Sequence, residues 1–459
     1  MQILRPHLKK LLSLFCILPL LWACGNKAKT ETETTHKEIK PVEWSKNSII
    51  YEVNLRQYSE AGTFAEFEKK LPELKAMGVD ILWFMPIHPI GEKNRKGTMG
   101  SYYAVKDYKA VNPEHGTLEE FKALVKKIHS MDMKVIIDWV ANHTAWDNIW
   151  VESNPEFFNK NEKGEFFPPV DGWQDVIDLN YENKELWTAM TDALKFWVKE
   201  ADIDGYRCDV AAMVPLEFWQ QARVELDKIK PVFMLAEAHE AEMHHDAFDM
   251  TYSWQLKDLM NAVAKGEKNA LDIKKHFENE KTEYKPEAYR MLFTTNHDEN
   301  TWNGTVFERL GDGAEMFSVL CGTAEGMLLV YSGQEAGNEK RIEFFEKDPI
   351  KWKEHKFRGL FTKLANLKEN NKALWNGTYG AEMVHPTNDN DKNVYSFVRE
   401  KENNKIFSIF NVTGKKQHVA FTDKVIAGKY KDLITGEEVE IKENQKFELK
   451  PWAYLVYVK

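Results

Sequence analysis

Residues 135–143 read Val-Ile-Ile-Asp-Trp-Val-Ala-Asn-His. The opening β-branched residues make a strand with no wet face, and strands buried on both faces belong to parallel sheets. The run ends on a carboxylate, Asp138, and a buried charge is costly unless it is paired or used. Upstream, Leu118–Met131 carries apolar residues at helical spacing. It opens with Thr117-Leu118-Glu119-Glu120, a capping box in which the Thr117 hydroxyl and the Glu120 carboxylate satisfy free N–H groups. A helix, a short buried strand and a polar ending together make one repeating unit.

The same unit recurs along the chain. Strands are expected at Ile49–Val53, Ile81–Phe84, Val135–Asp138, Gly205–Cys208, Phe233–Ala236, Phe248–Met250, Met291–Thr294 and Met327–Tyr331. Helical patterns lie between them at Thr63–Met77, Leu118–Met131, Lys184–Glu200, Leu216–Leu226 and Ala314–Thr323. Eight strand-then-helix units fit an α/β fold, a closed (β/α)₈ TIM barrel. Asp138, Arg207, Asp209, Glu237 and Asp298 all stand at or just past a strand's C-terminal edge, the rim where such barrels build active sites.

Two departures from the rhythm mark further domains. Residues 144–181, after the third strand, are rich in Asn, Pro, Gly, Asp and Trp and read as a small inserted subdomain over the rim. It divides the barrel into 41–143 and 182–372. From 373 to 459 the period changes to two, as in Val394-Tyr395-Ser396-Phe397-Val398, and a C-terminal antiparallel β-sandwich is expected.

The first 40 residues read differently again. Arg5, Lys9 and Lys10 precede the apolar run Leu11–Trp22, so residues 1–23 are expected to be a signal peptide. Leu21-Trp22-Ala23-Cys24-Gly25 resembles a lipobox, which implies cleavage before Cys24 and a membrane anchor through lipid on that cysteine. Residues 24–40, nearly all Lys, Thr and Glu, form a flexible tether. The expected location is lipid-anchored at an outer membrane, on its cell-surface or periplasmic face.

The net charge of −10 becomes more negative once the signal peptide leaves, which argues against nucleic acid as a partner and leaves a neutral glycan compatible. Of four cysteines, Cys208 and Cys321 lie in apolar segments of the mature chain and read as buried thiols. Aromatics make up 12% of the chain, including 15 Trp, a composition suited to stacking on sugar rings.

Four segments in order, Asp138–His143, Gly205–Asp209, Met234–Ala238 and Thr294–Asp298, resemble the four signature regions of the α-amylase family, glycoside hydrolase family 13. Gln174–Asn180 is similar to that family's additional motif in the inserted subdomain. The resemblance implies a retaining glycoside hydrolase that cleaves α-1,4-glucosidic bonds in starch-like α-glucans or maltooligosaccharides through a covalent glycosyl-enzyme. It implies Asp209 as nucleophile, Glu237 as general acid and base, and Asp298 as the carboxylate holding the sugar's 2- and 3-hydroxyls. Arg207, two residues before Asp209 on one strand, shares its face and keeps it ionised. His143 and His297 would bracket the reactive sugar with neutral or charged N–H donors. Tyr103 matches the tyrosine that stacks on it, with Tyr102 the near competitor, and Asp138 is structural at the site. Asn142 and Asp178 match positions that bind a structural Ca²⁺ in many members; no organic cofactor is implied.

The pattern also departs from the family. Where many α-amylases carry a Lys-His pair after the nucleophile, this chain has Ala212 and Met213. The Asp209-Val210 pair resembles α-glucosidases acting on short oligosaccharides, so an α-glucosidase or transglycosylase acting on short α-gluco-oligosaccharides, α-1,6-linked ones included, is the alternative. Phe293–Asn303 resembles amylase-like lipoproteins of glycan-foraging bacteria, which implies other outer-membrane glycan-uptake proteins as partners. A glycan-binding relative without catalysis would lack a carboxylate; all three are present.

Overall fold

The computed structural model describes residues 41–459; the expected signal peptide, Cys24 and the expected tether to residue 40 lie outside the described residues. Eight parallel strands close into a barrel: β1 (Ile50–Val53), β2 (Ile81–Phe84), β3 (Lys134–Trp139), β4 (Gly205–Cys208), β5 (Phe233–Ala236), β6 (Met250–Tyr252), β7 (Tyr289–Leu292) and β8 (Met327–Tyr331). β8 pairs with β1 to close the ring, Tyr51 opposite Val330.

Alternation along each strand decides what reaches the centre. Ile50, Ile81, Trp83, Ile136, Phe233, Leu235, Met250, Met291 and Leu329 point inward and pack as one cluster. Tyr51, Val53, Leu82, Phe84, Val135, Ile137 and Met234 face the surrounding helices. The same period carries Glu52, Asp138 and Arg207 to the upper end of the interior, and all three are buried. β4 comes close to β5 because its first residue is glycine. Gly205 has φ +154°, and a Cβ there would lie 1.9 Å from the Phe233 carbonyl oxygen.

Three expected elements differ. β6 and β7 lie two residues away from the apolar runs that suggested them, in opposite directions along the chain. Buried charges explain both shifts. Asp249 before β6 pairs with Arg223 (3.0 Å), and Arg290 within β7 pairs with Glu280 (2.8 Å), so each charge is tolerated where the sequence reads as a strand's end. The helix expected over Thr63–Met77 is two, Phe64–Glu68 and Leu71–Met77. Pro72 has no N–H for a hydrogen bond back to Glu68, and proline suits a helix's first turn.

His143–Ala145 and Val176–Asp178 pair antiparallel at the base of the insertion, with His143 opposite Asp178. At the C-terminus, Val394–Lys401, Asn404–Asn411, Tyr454–Val458, Gly428–Asp432 and Glu438–Ile441 form a five-stranded sheet. Gln417–Ala420 and Lys446–Leu449 form a ribbon whose Val419, Phe447 and Leu449 share a core with Phe407 and Tyr457 of the sheet. Arg399 ties this domain to the barrel, donating to the carbonyls of Thr323 (3.1 Å) and Ala324 (2.7 Å). Cys208 and Cys321 are free and buried.

Candidate active site

The site is organised around one guanidinium. Arg207, fully buried on β4, donates from Nη1 to Asp138 Oδ1 (2.8 Å) and Asp209 Oδ1 (2.9 Å). Its Nη2 lies 2.8 Å from Glu237 Oε2, as an ion pair off the line of a good hydrogen bond. Its Nε donates to the Tyr252 hydroxyl (3.1 Å), and the Trp83 ring lies 5.1 Å away. Three carboxylates from the ends of β3, β4 and β5 thus share one fixed positive charge.

Backbone strain adds a second hold on Glu237. Val210 follows Asp209 in the left-handed region, φ 36° and ψ 47°, which a β-branched residue adopts only at a cost. The N–H of this same residue donates to Glu237 Oε2, 2.8 Å away. Burial dominates the acidity of both carboxylates. Burial raises Glu237 to about 7 against the pull of Arg207, with Asp209 and Asp298 adding to the rise. Burial raises Asp209 to about 6, again against Arg207, with Asp138 and Asp298 adding to it. One carboxyl is therefore held more firmly protonated than the other near neutrality.

The two histidines carry different charges. Burial lowers His143 to about 3, so it is neutral, with Nε2 3.9 Å from Asp209 Oδ2. Burial also opposes the charge on His297, but Asp298 and Glu52 outweigh it and hold His297 well above its ordinary value. His297 Nε2 lies 3.1 Å from Asp298 Oδ2, and Nδ1 faces Glu52 Oε1. Burial would raise Asp298, but His297 and Arg207 reverse the effect and keep it ionised.

Tyr103, rather than Tyr102, faces this space. Its hydroxyl lies 2.9 Å from His297 Nε2 and donates to Asp138 Oδ2 (3.1 Å). Tyr102 instead donates to Asn54 (3.1 Å) under the Arg56 guanidinium. Asp209, Glu237 and Asp298 open on a cavity of about 560 Å³ walled by Tyr103, Trp302 and Phe344. Trp302 is 52% exposed and lines the cavity, so its ring is accessible there. It sits on a single π-helical turn, Glu299–Asn303, directly after Asp298.

Asn142 and Asp178 stand outside the cavity, at the junction of barrel and insertion, where Leu179 N–H donates to Asn142 O (3.2 Å). The Asn159 amide donates to Asp178 Oδ2 (2.6 Å), and Asn142 Nδ2 faces His143 Nδ1 (3.3 Å). Among the described residues no three His, Cys, Asp or Glu side chains gather to hold a metal ion. The oxygens on offer at this junction come from one carboxylate, amides and carbonyls, a donor set of the hard type that calcium takes.

The sequence reading brought together Tyr103, Asp138, His143, Arg207, Asp209, Glu237, His297 and Asp298, and the structure places all eight around one space. It missed Glu52, Trp83, Tyr252, Trp302 and Phe344. Glu52 had a signal, as the one charge within the apolar run Ile50–Val53.

Comparison with known proteins agrees with this geometry. The family described as alpha amylase, catalytic domain, matches residues 36–175 and 158–413, and that described as bacterial alpha amylase C-terminal domain matches residues 386–450. The chain is 24% identical to Alpha-amylase 3 of Dictyoglomus thermophilum, over 90% of this chain and 93% of that one. It is 27% identical to Neopullulanase 2 of Thermoactinomyces vulgaris, over 84% of this chain and 69% of the other. Among solved structures, it resembles a noncanonic maltogenic alpha-amylase from Thermotoga neapolitana, with 31% identity, coverage of 90% and 98%, and a TM-score of 0.82. An alpha-amylase from Lactobacillus plantarum is similar at 30% identity, with coverage of 91% and 99% and a TM-score of 0.80.

Proposed function

The chain belongs to the α-amylase family of glycoside hydrolases, and on that footing we propose that it cleaves α-1,4-glucosidic bonds of α-glucans with retention, through a glycosyl-enzyme on Asp209. The observation that carries this reading is Arg207, whose one guanidinium meets both Asp209 and Glu237. An Asp209 oxygen attacks C1 as the C1–O bond to the leaving sugar breaks, and Glu237 gives its proton to that oxygen. Glu237 then takes a proton from water, the water oxygen bonds to C1, and the bond to Asp209 breaks. Asp298 and the charged His297 hold the ring hydroxyls, and Tyr103 lies against the ring face. Arg207 keeps Asp209 an anion in spite of its burial, and the Val210 N–H orients Glu237.

The product profile of the purified chain on amylose, maltoheptaose, pullulan and isomaltose tests this reading, with Asp209→Asn as the blank. Maltooligosaccharides or maltose released only by the unmutated chain support it. Products longer than the substrate make a sugar the acceptor in place of water, and no turnover of any substrate contradicts it.

Three further elements belong to the proposal. Residues 1–23 act as a signal peptide and Cys24 carries the lipid that anchors the enzyme at an outer membrane, beside glycan-uptake proteins; the lipobox-like run and the polar tether support this. Cys24→Ser is expected to release the protein from membranes. Calcium binds weakly at Asp178 and Asn142, because a site with a single carboxylate offers little charge. Millimolar calcium is expected to raise the melting temperature of the unmutated chain and not that of Asp178→Ala.

A further inference from the structure

The wall of the cavity is continuous on one side. Lys96, in the loop after β2, reaches across to the insertion, where its Nζ lies 3.0 Å from Asp175 Oδ1 and donates to the Gly172 carbonyl (2.5 Å). It also lies over the Phe345 ring of the loop after β8, 5.9 Å from the centroid. Asp175 is buried, unlike the partners of an ordinary surface ion pair, so this charge-assisted contact is held in one place. The loops after β2 and β8 are themselves joined: Met99 N–H donates to Phe345 O (3.0 Å), Thr98 N–H to Glu346 (2.9 Å), and Arg56 to the Gly100 carbonyl (2.9 Å) and the Phe344 carbonyl (3.3 Å). Lys96, Gly172, Asp175 and Phe345 all line the cavity that holds Asp209 and Glu237.

The position of this wall relative to a bound sugar follows from ring chemistry. With C1 between Asp209 and Glu237, and the 2- and 3-hydroxyls at Asp298, the C4 hydroxyl lies across the ring from C1. The wall beyond Asp298 runs through Trp302, whose ring meets Phe344 (5.3 Å) and Phe345 (6.0 Å), to Lys96 over Phe345, and a C4 oxygen directed past Asp298 would face it. In an α-1,4-glucan that oxygen carries the next sugar towards the non-reducing end. A chain bound in its middle must continue through the space that Lys96 and its partners close.

We propose that the Lys96 contact with Gly172 and Asp175 seals the non-reducing-end side of the cleft, so that the enzyme takes α-glucans by their non-reducing end rather than in mid-chain. This rests on the α-glucan reading above and adds the direction from which substrate enters. Lys96 and Asp175 are specificity determinants, since neither touches the reacting atoms.

The test compares two maltoheptaosides, one with a free non-reducing end and one with that end capped by a 4,6-O-ethylidene group, with products read by chromatography. The unmutated chain is expected to cleave the capped substrate about 100-fold more slowly than the free one, the scale of loss when a substrate cannot reach its reactive position. Lys96→Ala and, independently, Asp175→Asn are expected to narrow that gap at least several-fold, with circular dichroism unchanged, while Lys96→Arg keeps it. Equal rates on capped and free substrate in the unmutated chain overturn the inference. An unchanged gap in both well-folded opening variants also overturns it. Failure to cleave even the free substrate is a different result, which overturns the α-glucan reading and the inference with it.

Discussion

Glu52 and His297 form a buried ion pair on the floor of the site, with side chains 0% and 2% exposed and Glu52 Oε1 facing His297 Nδ1. The pair lets a histidine remain charged where burial alone would neutralise it, and the charged histidine in turn keeps Asp298 ionised. Glu52 of β1 thus meets the segment that follows β7, although the two strands are not paired in the sheet.

Glu52→Gln removes the anion that supports His297. Losing a charged hydrogen-bonding partner is expected to lower kcat/KM by about 10- to 100-fold, equivalent to about 1.5–3 kcal/mol. Asp298 loses part of its cationic support, so its carboxyl pKa rises from its lowered value, and activity falls more steeply below the acid limb that Asp209 sets. A kcat/KM profile of the variant beside the unmutated chain reads this; an acid side of unchanged steepness rules out the relay.

The unmutated enzyme is expected to show a narrow bell in kcat/KM against pH. Activity requires the Asp209 anion, and Asp209 is raised to about 6 by burial, so activity falls on the acid side of that value. Activity also requires the Glu237 acid, which is raised to about 7, so activity falls on the alkaline side as Glu237 ionises. Rates from pH 4.5 to 8.5 test this, and a plateau extending well above pH 8 contradicts it.

Arg207→Ala leaves Asp138, Asp209 and Glu237 buried without a counter-charge. Breaking such a cluster is expected to cost about 3–5 kcal/mol of stability. The sign of its pH dependence follows from the raised carboxyls. The folded chain keeps protons on Asp209 and Glu237 that the unfolded chain releases near pH 4, so these groups lower stability as pH rises from about 4 towards their folded values. Without Arg207 those values rise further and the loss extends to higher pH. Thermal unfolding at pH 5 and pH 8 is expected to show a wider gap between variant and unmutated chain at pH 8.

Val210→Asn tests the strained turn. Asparagine enters the left-handed region more readily than valine, so about 1 kcal/mol of backbone strain is relieved and the melting temperature rises by about 1 °C. The N–H to Glu237 remains available to either residue. A lower melting temperature means that valine's packing outweighs the strain.

The barrel was legible because burial on both faces leaves runs of three or more apolar residues in β2, β3, β5 and β8, with Asp138 and Glu237 as polar endings at the rim. The ends of β6 and β7 were not, because Asp249 and Arg290 lie in the interior and their partners, Arg223 and Glu280, come from other elements. The signature segments located the three carboxylates and Arg207. The charges of His143 and His297 were not legible, since that of His143 is set by its burial and that of His297 by Asp298 together with Glu52, 245 positions away. Phe344 and Phe345 belong to a loop held by Arg56 and Gln57 across nearly 300 residues, with Gln57 Nε2 donating to the carbonyls of Glu343 (3.0 Å) and Glu346 (2.7 Å). No local pattern announces such a placement.

The central claim is that Asp209 carries the sugar. Incubating the enzyme with a 5-fluoro-α-maltosyl fluoride slows breakdown of the glycosyl-enzyme, and proteolysis with mass spectrometry then locates the attached sugar. The expected result is one maltosyl adduct on the peptide that contains Asp209, absent from Asp209→Asn. An adduct on Glu237, or an active enzyme that forms no adduct at all, contradicts the assignment.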